Sequence, residues 1–135
     1  MNNVSEQANV QLVQNTYAAF GRGDLPAILQ GMAAKIEWYS RYSAGVALDG
    51  LWQGHDGVTR LMTAIGTSID VLAFQPDEFI ASGDKVVVLG HEEVQVKATG
   101  RRYHNEWVHV FTVREGQIQS LKTYNDSAAV AAAFG

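Results

Sequence analysis

The 135-residue sequence predicts an α+β domain in which a curved antiparallel sheet carries three N-terminal helices on its concave face, a cone-shaped barrel. Two observations predict it. Between Lys85 and Asp126, the segments VVVLGHEEVQVKATG and RRYHNEWVHVFTVREGQIQSLKTYND read as three long strands joined by tight turns, rich in the β-branched and aromatic types that suit a pleated surface. The helical periodicities precede them. Strands gathered after helices favour helices packed on one face of an antiparallel sheet over a parallel α/β arrangement. A curved sheet closed by helices leaves a pocket at its open end.

In chain order, Val4 to Gly23 reads as an amphipathic helix, with Val10, Val13, Tyr17 and Phe20 at three- and four-residue steps and Asn3 or Ser5 as the cap. Gly21 and Gly23 stop it. Asp24 caps a short second helix, LPAILQGM, with Pro26 in its first turn, where a missing N–H costs nothing. That stop and cap also account for the tripeptide Arg22-Gly23-Asp24 without an adhesive role. Lys35 to Ser40 alternates as a strand that puts Ile36, Trp38 and Ser40 on one face. Arg41 to Gln53 has glycines and no period, and reads as a loop or lid. Asp56 is positioned to cap a third helix, with Val58, Leu61, Met62, Ile65 and Ile69 inward. Leu72 to Ser82 is a strand in which Pro76 marks an edge or a bulge. The alanine-rich tail after Asp126 reads as a short helix or a frayed end.

Composition narrows the function classes. The chain is 47% hydrophobic, enough for one domain spanning residues 1–135 with a single core. Ten basic and 14 acidic residues, scattered for a net charge of −4, argue against nucleic acid and anionic membrane as partners. The absence of cysteine removes disulfide, thiolate and Cys-ligated zinc chemistry. The first ten residues have neither a basic start nor an apolar run, and no stretch is long enough to span a bilayer, so a cytoplasmic location is expected.

Hairpin register decides which side chains face the pocket. A two-residue turn at Thr99-Gly100 pairs Gly90 with His109, Glu92 with Trp107 and Val94 with Asn105. One face then carries Val88, Glu92, Val94, Asn105, Trp107, His109 and Phe111. The other carries His91, Glu93, Gln95, Lys97, Arg102, His104 and Glu106, with Glu93 opposite Glu106. This charged set suits solvent or a partner subunit better than a metal, and no metal or cofactor site is expected. His104 and His109, five apart on one strand, point to opposite faces. In the last hairpin, a three-residue bulged turn at Arg114-Glu115-Gly116 puts Leu121, Thr123 and Asn125 on the pocket face; a two-residue turn brings in Lys122, Tyr124 and Asp126.

Several segments, in order, carry a resemblance: Tyr17-Ala-Ala-Phe-Gly-Arg-Gly-Asp24, Lys35-Ile-Glu-Trp38, Trp52-Gln-Gly54, Gly83-Asp-Lys-Val-Val-Val88, Thr99-Gly-Arg101 and Val110-Phe-Thr-Val-Arg-Glu-Gly-Gln-Ile118, closing at Tyr124. Together they resemble the SnoaL-like polyketide cyclase and ketosteroid-isomerase-related group of the nuclear transport factor 2-like superfamily. The resemblance implies a cone-shaped α+β barrel, a homodimer packed through the outer sheet face, and a deep apolar pocket for a small molecule. It also implies, for a ketosteroid isomerase, an aspartate base, a tyrosine and a protonated aspartate. These fall on Ser40, on Thr16 (with Tyr17 its neighbour) and on His109. All three depart, which disfavours that mechanism.

What remains is a different polar set. Glu92 and His109, near-diagonal neighbours in the expected register, form a candidate acid/base pair sharing one proton near neutrality; the competing reading is a satisfied polar patch in the core. Tyr17, Trp38, Trp52, Trp107 and Phe111 are candidates for stacking on a ring-shaped ligand, against their ordinary use as core. Asn105 and Asn125 are candidates to orient a carbonyl or hydroxyl. Ser40 and Met62 complete the candidate ligand contacts. His55, at a helix start, reads as structural or exposed. Two functions follow: a cofactor-independent isomerase, cyclase or dehydratase acting on a small carbonyl-bearing or cyclic apolar substrate, or a non-catalytic protein that binds a hydrophobic ligand or serves assembly.

Overall fold

The computed structural model describes residues 3–43 and 45–135. The elements run α1 (Asn3–Arg22), α2 (Leu25–Gln30), β1 (Met32–Arg41), β2 (Gly50–Gln53), α3 (Gly54–Ser68), β3 (Ile69–Ser82), β4 (Lys85–Val96), β5 (Arg102–Arg114), β6 (Gln117–Tyr124) and α4 (Ser127–Phe134). The six strands form one curved sheet in the order β2-β1-β6-β5-β4-β3, which stays open between its edges β2 and β3. It is not antiparallel throughout. Strand β1 runs parallel to β6, because β2, helix α3 and the whole β3–β5 meander separate them in the chain.

Local chemistry explains most boundaries. Helix α1 ends in a Schellman arrangement: Gly23, at φ 65°, donates to Phe20 O and Asp24 N donates to Ala19 O, each at 3.0 Å. Asp24 then accepts from Ala27 N at 3.2 Å and caps α2. The expected cap of α1 by Asn3 or Ser5 is not seen: both lie within the helix, and the residue before it is outside the described residues. Helix α3 starts two residues before Asp56, so Asp56 supplies negative charge to the first turn without capping it. The segment 41–53 contains a strand, β2, pairing Trp38 with Trp52. Four residues beginning with a glycine are too few to display a period. Strand β3 is an edge, with irregularities between Val71 and Ala73 and between Pro76 and Glu78, in keeping with Pro76. Asp126 caps α4 through Ala129 N at 3.2 Å, so the tail is helical.

Hairpin register corrects the expected pairs while leaving the faces intact. The β4–β5 loop has four residues, closed by Val96 N donating to Arg101 O at 2.8 Å. Gly90 therefore faces Trp107, Glu92 faces Asn105, Val94 faces Tyr103 and Val88 faces His109. The shift is two residues, and an even shift changes neighbours without turning side chains over. On the outer face Glu93 accordingly meets His104, not Glu106. The β5–β6 turn has only two residues, Glu115 and Gly116, at φ 54° and 72°. The extra residue lies instead in a bulge at Gln119, which brings Leu121 and Thr123 opposite Phe111 and His109 on the pocket face.

The core lies between the inner sheet face and α1–α3, with Trp107, Phe111, Ile28, Met32 and Ile36 fully enclosed. Helix α4 covers the end of the β4–β5 hairpin, where Thr99 Oγ1 donates to Ala133 O at 2.7 Å and Arg101 donates to Ala132 O at 3.0 Å.

Candidate functional site

The inner sheet face and the three helices enclose a cavity of about 920 Å³. Its walls come from Trp38 and Ser40 of β1 and Tyr42 just beyond it, from Tyr17 and Phe20 of α1, from Leu61, Met62 and Ile65 of α3, and from Phe74 of β3. The polar groups on its floor are Glu92, His109, Thr123 and Asn125. Of the residues proposed from sequence, Tyr17, Trp38, Ser40, Met62, Glu92, His109 and Asn125 line this cavity.

Trp52, Asn105, Trp107 and Phe111 do not. The indole of Trp52 donates to Leu48 O at 3.3 Å on the far side of β1. Phe111 is core, edge-on to the Tyr17 ring with centroids 5.8 Å apart. Trp107 is 2% exposed because it lies flat over Gly90, where an added Cβ would stand 2.3 Å from the ring. Its faces are used by His109, 4.0 Å away at 19°, and by Phe74, 4.9 Å away at 13°. No ring surface is left for a ligand. Asn105, with no exposure, spends its side chain within the protein: Nδ2 donates to Glu92 Oε2 at 2.7 Å and to Asn125 Oδ1 at 2.8 Å, while Oδ1 accepts from Asp126 N at 2.8 Å. It positions Glu92 and the β6–α4 corner.

Glu92 and His109 are not a hydrogen-bonded pair. The rung of Gly90 and Trp107 lies between theirs, so they stand four residues apart along the ladder, on the order of 13 Å between backbones. Each has its own partner. Glu92 is held by Asn105, and burial pushes its carboxyl above the usual range, with the Asn105 hydrogen bond opposing. His109 Nδ1 is 2.8 Å from the Tyr17 hydroxyl, and the two rings stack at 5.9 Å. Enclosure among aromatic rings lowers the His109 pKa to about 3. A nearby carboxylate does not raise it, contrary to the paired reading. Burial likewise drives the Tyr17 hydroxyl upward, so at neutral pH a neutral imidazole faces an intact phenol.

Two protonation patterns satisfy that contact. If the phenol donates to Nδ1, the ring carries its proton on Nε2; if Nδ1–H donates to the phenolic oxygen, the Tyr17 O–H is free for another acceptor. Either way the dyad keeps one donor unspent. Thr16, where the isomerase comparison places its tyrosine, is turned away: its hydroxyl donates to Leu12 O at 2.9 Å and packs beneath Gly31. The helix presents Tyr17 instead.

Tyr42, Phe74 and Thr123 are cavity residues absent from the site proposed from sequence. Tyr42 continues the two-residue alternation of Ile36, Trp38 and Ser40, a signal masked by reading a loop from Arg41 onward. Burial, followed by the nearby Glu92 carboxylate, raises its hydroxyl pKa. Outside the cavity, His55 Nε2 hydrogen-bonds to Met32 O at 3.0 Å and is structural. On the outer face His91 meets Asp77 at 2.7 Å and His104 meets Glu93. Among the described residues no cluster of three His, Cys, Asp or Glu side chains is arranged to hold a metal, and no helix is long and apolar enough to cross a membrane.

This chain is similar to an NTF2-like protein of Burkholderia xenovorans, at 34% identity and a TM-score of 0.89 over 96% of this chain and 98% of that one. It is similar to TerC, crystallised with polyporic acid, at 29% identity and a TM-score of 0.85 over 94% and 98% of the two chains. An uncharacterized protein of Mycobacterium tuberculosis is 27% identical over 127 residues, 93% of this chain and 95% of that one. Residues 13–121 match the SnoaL-like domain, and by that match and the cone architecture around its cavity the chain belongs to the SnoaL-like family.

Proposed function

We propose that the protein catalyses cofactor-independent proton transfer on a small carbonyl-bearing ring compound. One observation carries this reading. A buried carboxyl, Glu92, and a hydrogen-bonding dyad, Tyr17 with His109, face the same largely apolar cavity. A carboxyl raised by burial is a stronger base when ionised and a more readily protonated acid than an exposed one. The Glu92 carboxylate takes a proton from the carbon next to the carbonyl. The C–H electron pair forms the C=C bond, and the carbonyl π pair moves onto oxygen, which accepts the dyad's unspent hydrogen bond. Glu92 then returns the proton to the same or another carbon. The aromatic walls and the co-crystallisation of the related TerC with polyporic acid favour a ring-shaped substrate.

The second reading is ligand binding without turnover. It is favoured by the separation of Glu92 from His109, each held by its own partner. Exchange of the α-protons of 1-tetralone in D2O, followed by NMR, separates the two. Exchange above the buffer rate in the wild type, lost in Glu92→Gln while calorimetric binding persists, supports catalysis. Binding with exchange at the buffer rate leaves the second reading.

The molecule works as a homodimer through the outer sheet face. Val87 faces Val110 and Leu89 faces Val108, a half-buried apolar cluster continued by Tyr124, which is 44% exposed. Sedimentation of the wild type and of Val108→Lys tests this, and a monomeric wild type excludes it.

A further inference from the structure

The large apolar side chains exposed among the described residues fall into two groups. Leu51, Ile80 and Tyr124 belong to the outer sheet face, where Ile80 faces Val87 and Tyr124 faces Val108. Val71, Leu72 and Phe74, at 46%, 48% and 39%, sit together on the edge strand β3, and all three line the cavity. Apolar surface concentrated in this way marks a contact with something outside the fold. The strand is built to put it there. Val71 faces Val94 and Phe74 faces Glu92, both on the inner face, although three positions separate them; the irregularity between Val71 and Ala73 supplies the odd step. Without it, parity would send one of the two outward.

These residues form one lip of the cavity mouth. Gly21 of α1 and Gly66 of α3, exposed and also lining the cavity, border open space: no atom stands within 4 Å of where a Cβ would be. Behind the mouth the lining divides into two zones. Met62, Ile65 and Ile69, on the helix and strand start that lead to the lip, are flexible or aliphatic, whereas Tyr17, Phe20 and Trp38 put aromatic rings beside the polar floor. Phe74 joins the zones, its ring 5.8 Å from Tyr17 and 6.4 Å from His109. Among the described residues that line the cavity none is Lys or Arg, and Glu92 is the one carboxylate, so an anionic substituent finds no partner there. A volume of about 920 Å³ is near the upper end for pockets that enclose a drug-sized ligand, and a bare two-ring ketone leaves much of it unfilled.

We infer that the ligand of this cavity carries an unbranched apolar chain, which runs from a ring at the Tyr17–His109 dyad past Phe74 and leaves under Val71 and Leu72 at the β3 edge. The ligand class is an uncharged, alkyl-substituted ring ketone. The ring stacks in the aromatic zone; the chain lies in the aliphatic one, where the thioether of Met62 adapts to irregular shape. Binding then covers the apolar surface that β3 otherwise leaves to water. This rests on the cavity holding a carbonyl-bearing ring, as proposed above, but not on turnover.

The test measures affinity for 1-tetralone and for its 6-methoxy, 6-butoxy and 6-hexyloxy derivatives by titration calorimetry on the full chain. Within the ether series only methylenes are added. The wild type should gain roughly threefold per methylene, a little under the value for a fully buried CH₂ because the lip is open to water. In the double variant Val71→Ser, Leu72→Ser, whose side chains are half exposed and leave the core intact, most of that gain should disappear. Ile80→Ser, at an equally exposed position on the outer face of the same strand, should keep it. No gain along the series in the wild type, or a gain that survives in the double variant, overturns the inference while leaving the proposed function standing. So does binding of 1-tetralone without the longer ethers. Failure to bind any of the four overturns the proposed carbonyl-ring ligand and this inference with it. Sedimentation of the double variant supplies the last check: loss of an oligomer that the wild type forms would assign the β3 lip to a second copy of the chain, and would also overturn the inference.

Discussion

The Tyr17 hydroxyl and His109 Nδ1 meet at 2.8 Å beside the cavity, joining α1 to β5 by a contact between residues 92 positions apart. Neither group has an ionised form that its surroundings favour, so the contact is a neutral hydrogen bond whose direction fixes the imidazole tautomer. Tyr17→Phe removes the phenol and keeps the ring that packs on Phe74, Phe79 and Phe111. We expect a stability loss of about 1 kcal/mol and a fall of about a hundredfold in α-proton exchange. Nitrogen-15 NMR of the histidine rings should show His109 changing its tautomer balance. An unchanged His109 spectrum would remove the dyad from the mechanism.

The pH dependence of stability has two opposing contributions. The folded-state pKa of His109 is depressed to about 3 from 6.5, so between these values the unfolded chain binds the extra proton. Its contribution is complete above pH 6.5 and is lost as the pH falls towards 3. Glu92 has the opposite sign. Its folded pKa is raised above 4.5, so its contribution is complete below 4.5 and is lost as the pH rises through the raised value. Thermal melts should therefore show that His109→Gln flattens the acid limb, whereas Glu92→Gln flattens the decline towards alkaline pH. Parallel curves for wild type and both variants would refute these assignments.

Asn105 is the residue on which the carboxyl's geometry depends. It bridges Glu92, Asn125 and the backbone N–H of Asp126, and Asn125 in turn donates to Arg41 O at 2.9 Å. Asn105→Ala leaves a buried carboxyl without its donor and should cost about 3 kcal/mol. Asn105→Asp keeps the shape, but sets a second carboxyl against Glu92 and should raise the apparent pKa of proton exchange further. The pH–rate profile for 1-tetralone measures it.

Much of this arrangement was legible in the sequence, and the misses have physical causes. Period two along β4 and β5 separated Glu92, Asn105 and His109 from His91, Glu93 and His104, and that partition survives because faces depend only on parity. Neighbours depend on loop length. Two extra residues in the Lys97–Gly100 loop moved Glu92 from Trp107 to Asn105 and away from His109. Strand β2 was illegible because four residues show no period and its pairing with β1 is tertiary. Trp107 and Phe111 were read as ligand contacts because they lie on the pocket face; the space that lets Trp107 sink out of the cavity is a missing Cβ on the neighbouring strand.

That missing atom makes Gly90→Ala informative. A Cβ there would stand 2.3 and 2.4 Å from two carbons of the Trp107 ring and 2.6 Å from Gln75 O. The backbone oxygen cannot swing aside as a side-chain end can, so the ring or strand β3 must move. Overpacking of this kind costs about 1–3 kcal/mol, and the displaced indole disturbs the stack on His109. A lowered melting temperature together with a changed near-ultraviolet circular dichroism spectrum is expected. A spectrum and melting point equal to wild type would mean that Gly90 does not set the position of Trp107.

The β5–β6 turn offers a change in the opposite direction. Glu115 sits at φ 54°, among the described residues the one non-glycine in the left-handed region, and Gly116 follows at 72°. A two-residue hairpin with both angles positive favours Asn-Gly, because asparagine tolerates that region better than glutamate does. Glu115→Asn should therefore stabilise the fold by about 0.5 kcal/mol without touching the cavity. Denaturant titration measures it through a higher midpoint at unchanged slope. Because the bulge at Gln119, not the turn, sets the inward placement of Thr123 and Asn125, ligand affinity should stay at the wild-type value. A variant that gains stability but loses binding would show instead that the turn itself holds the β6 register.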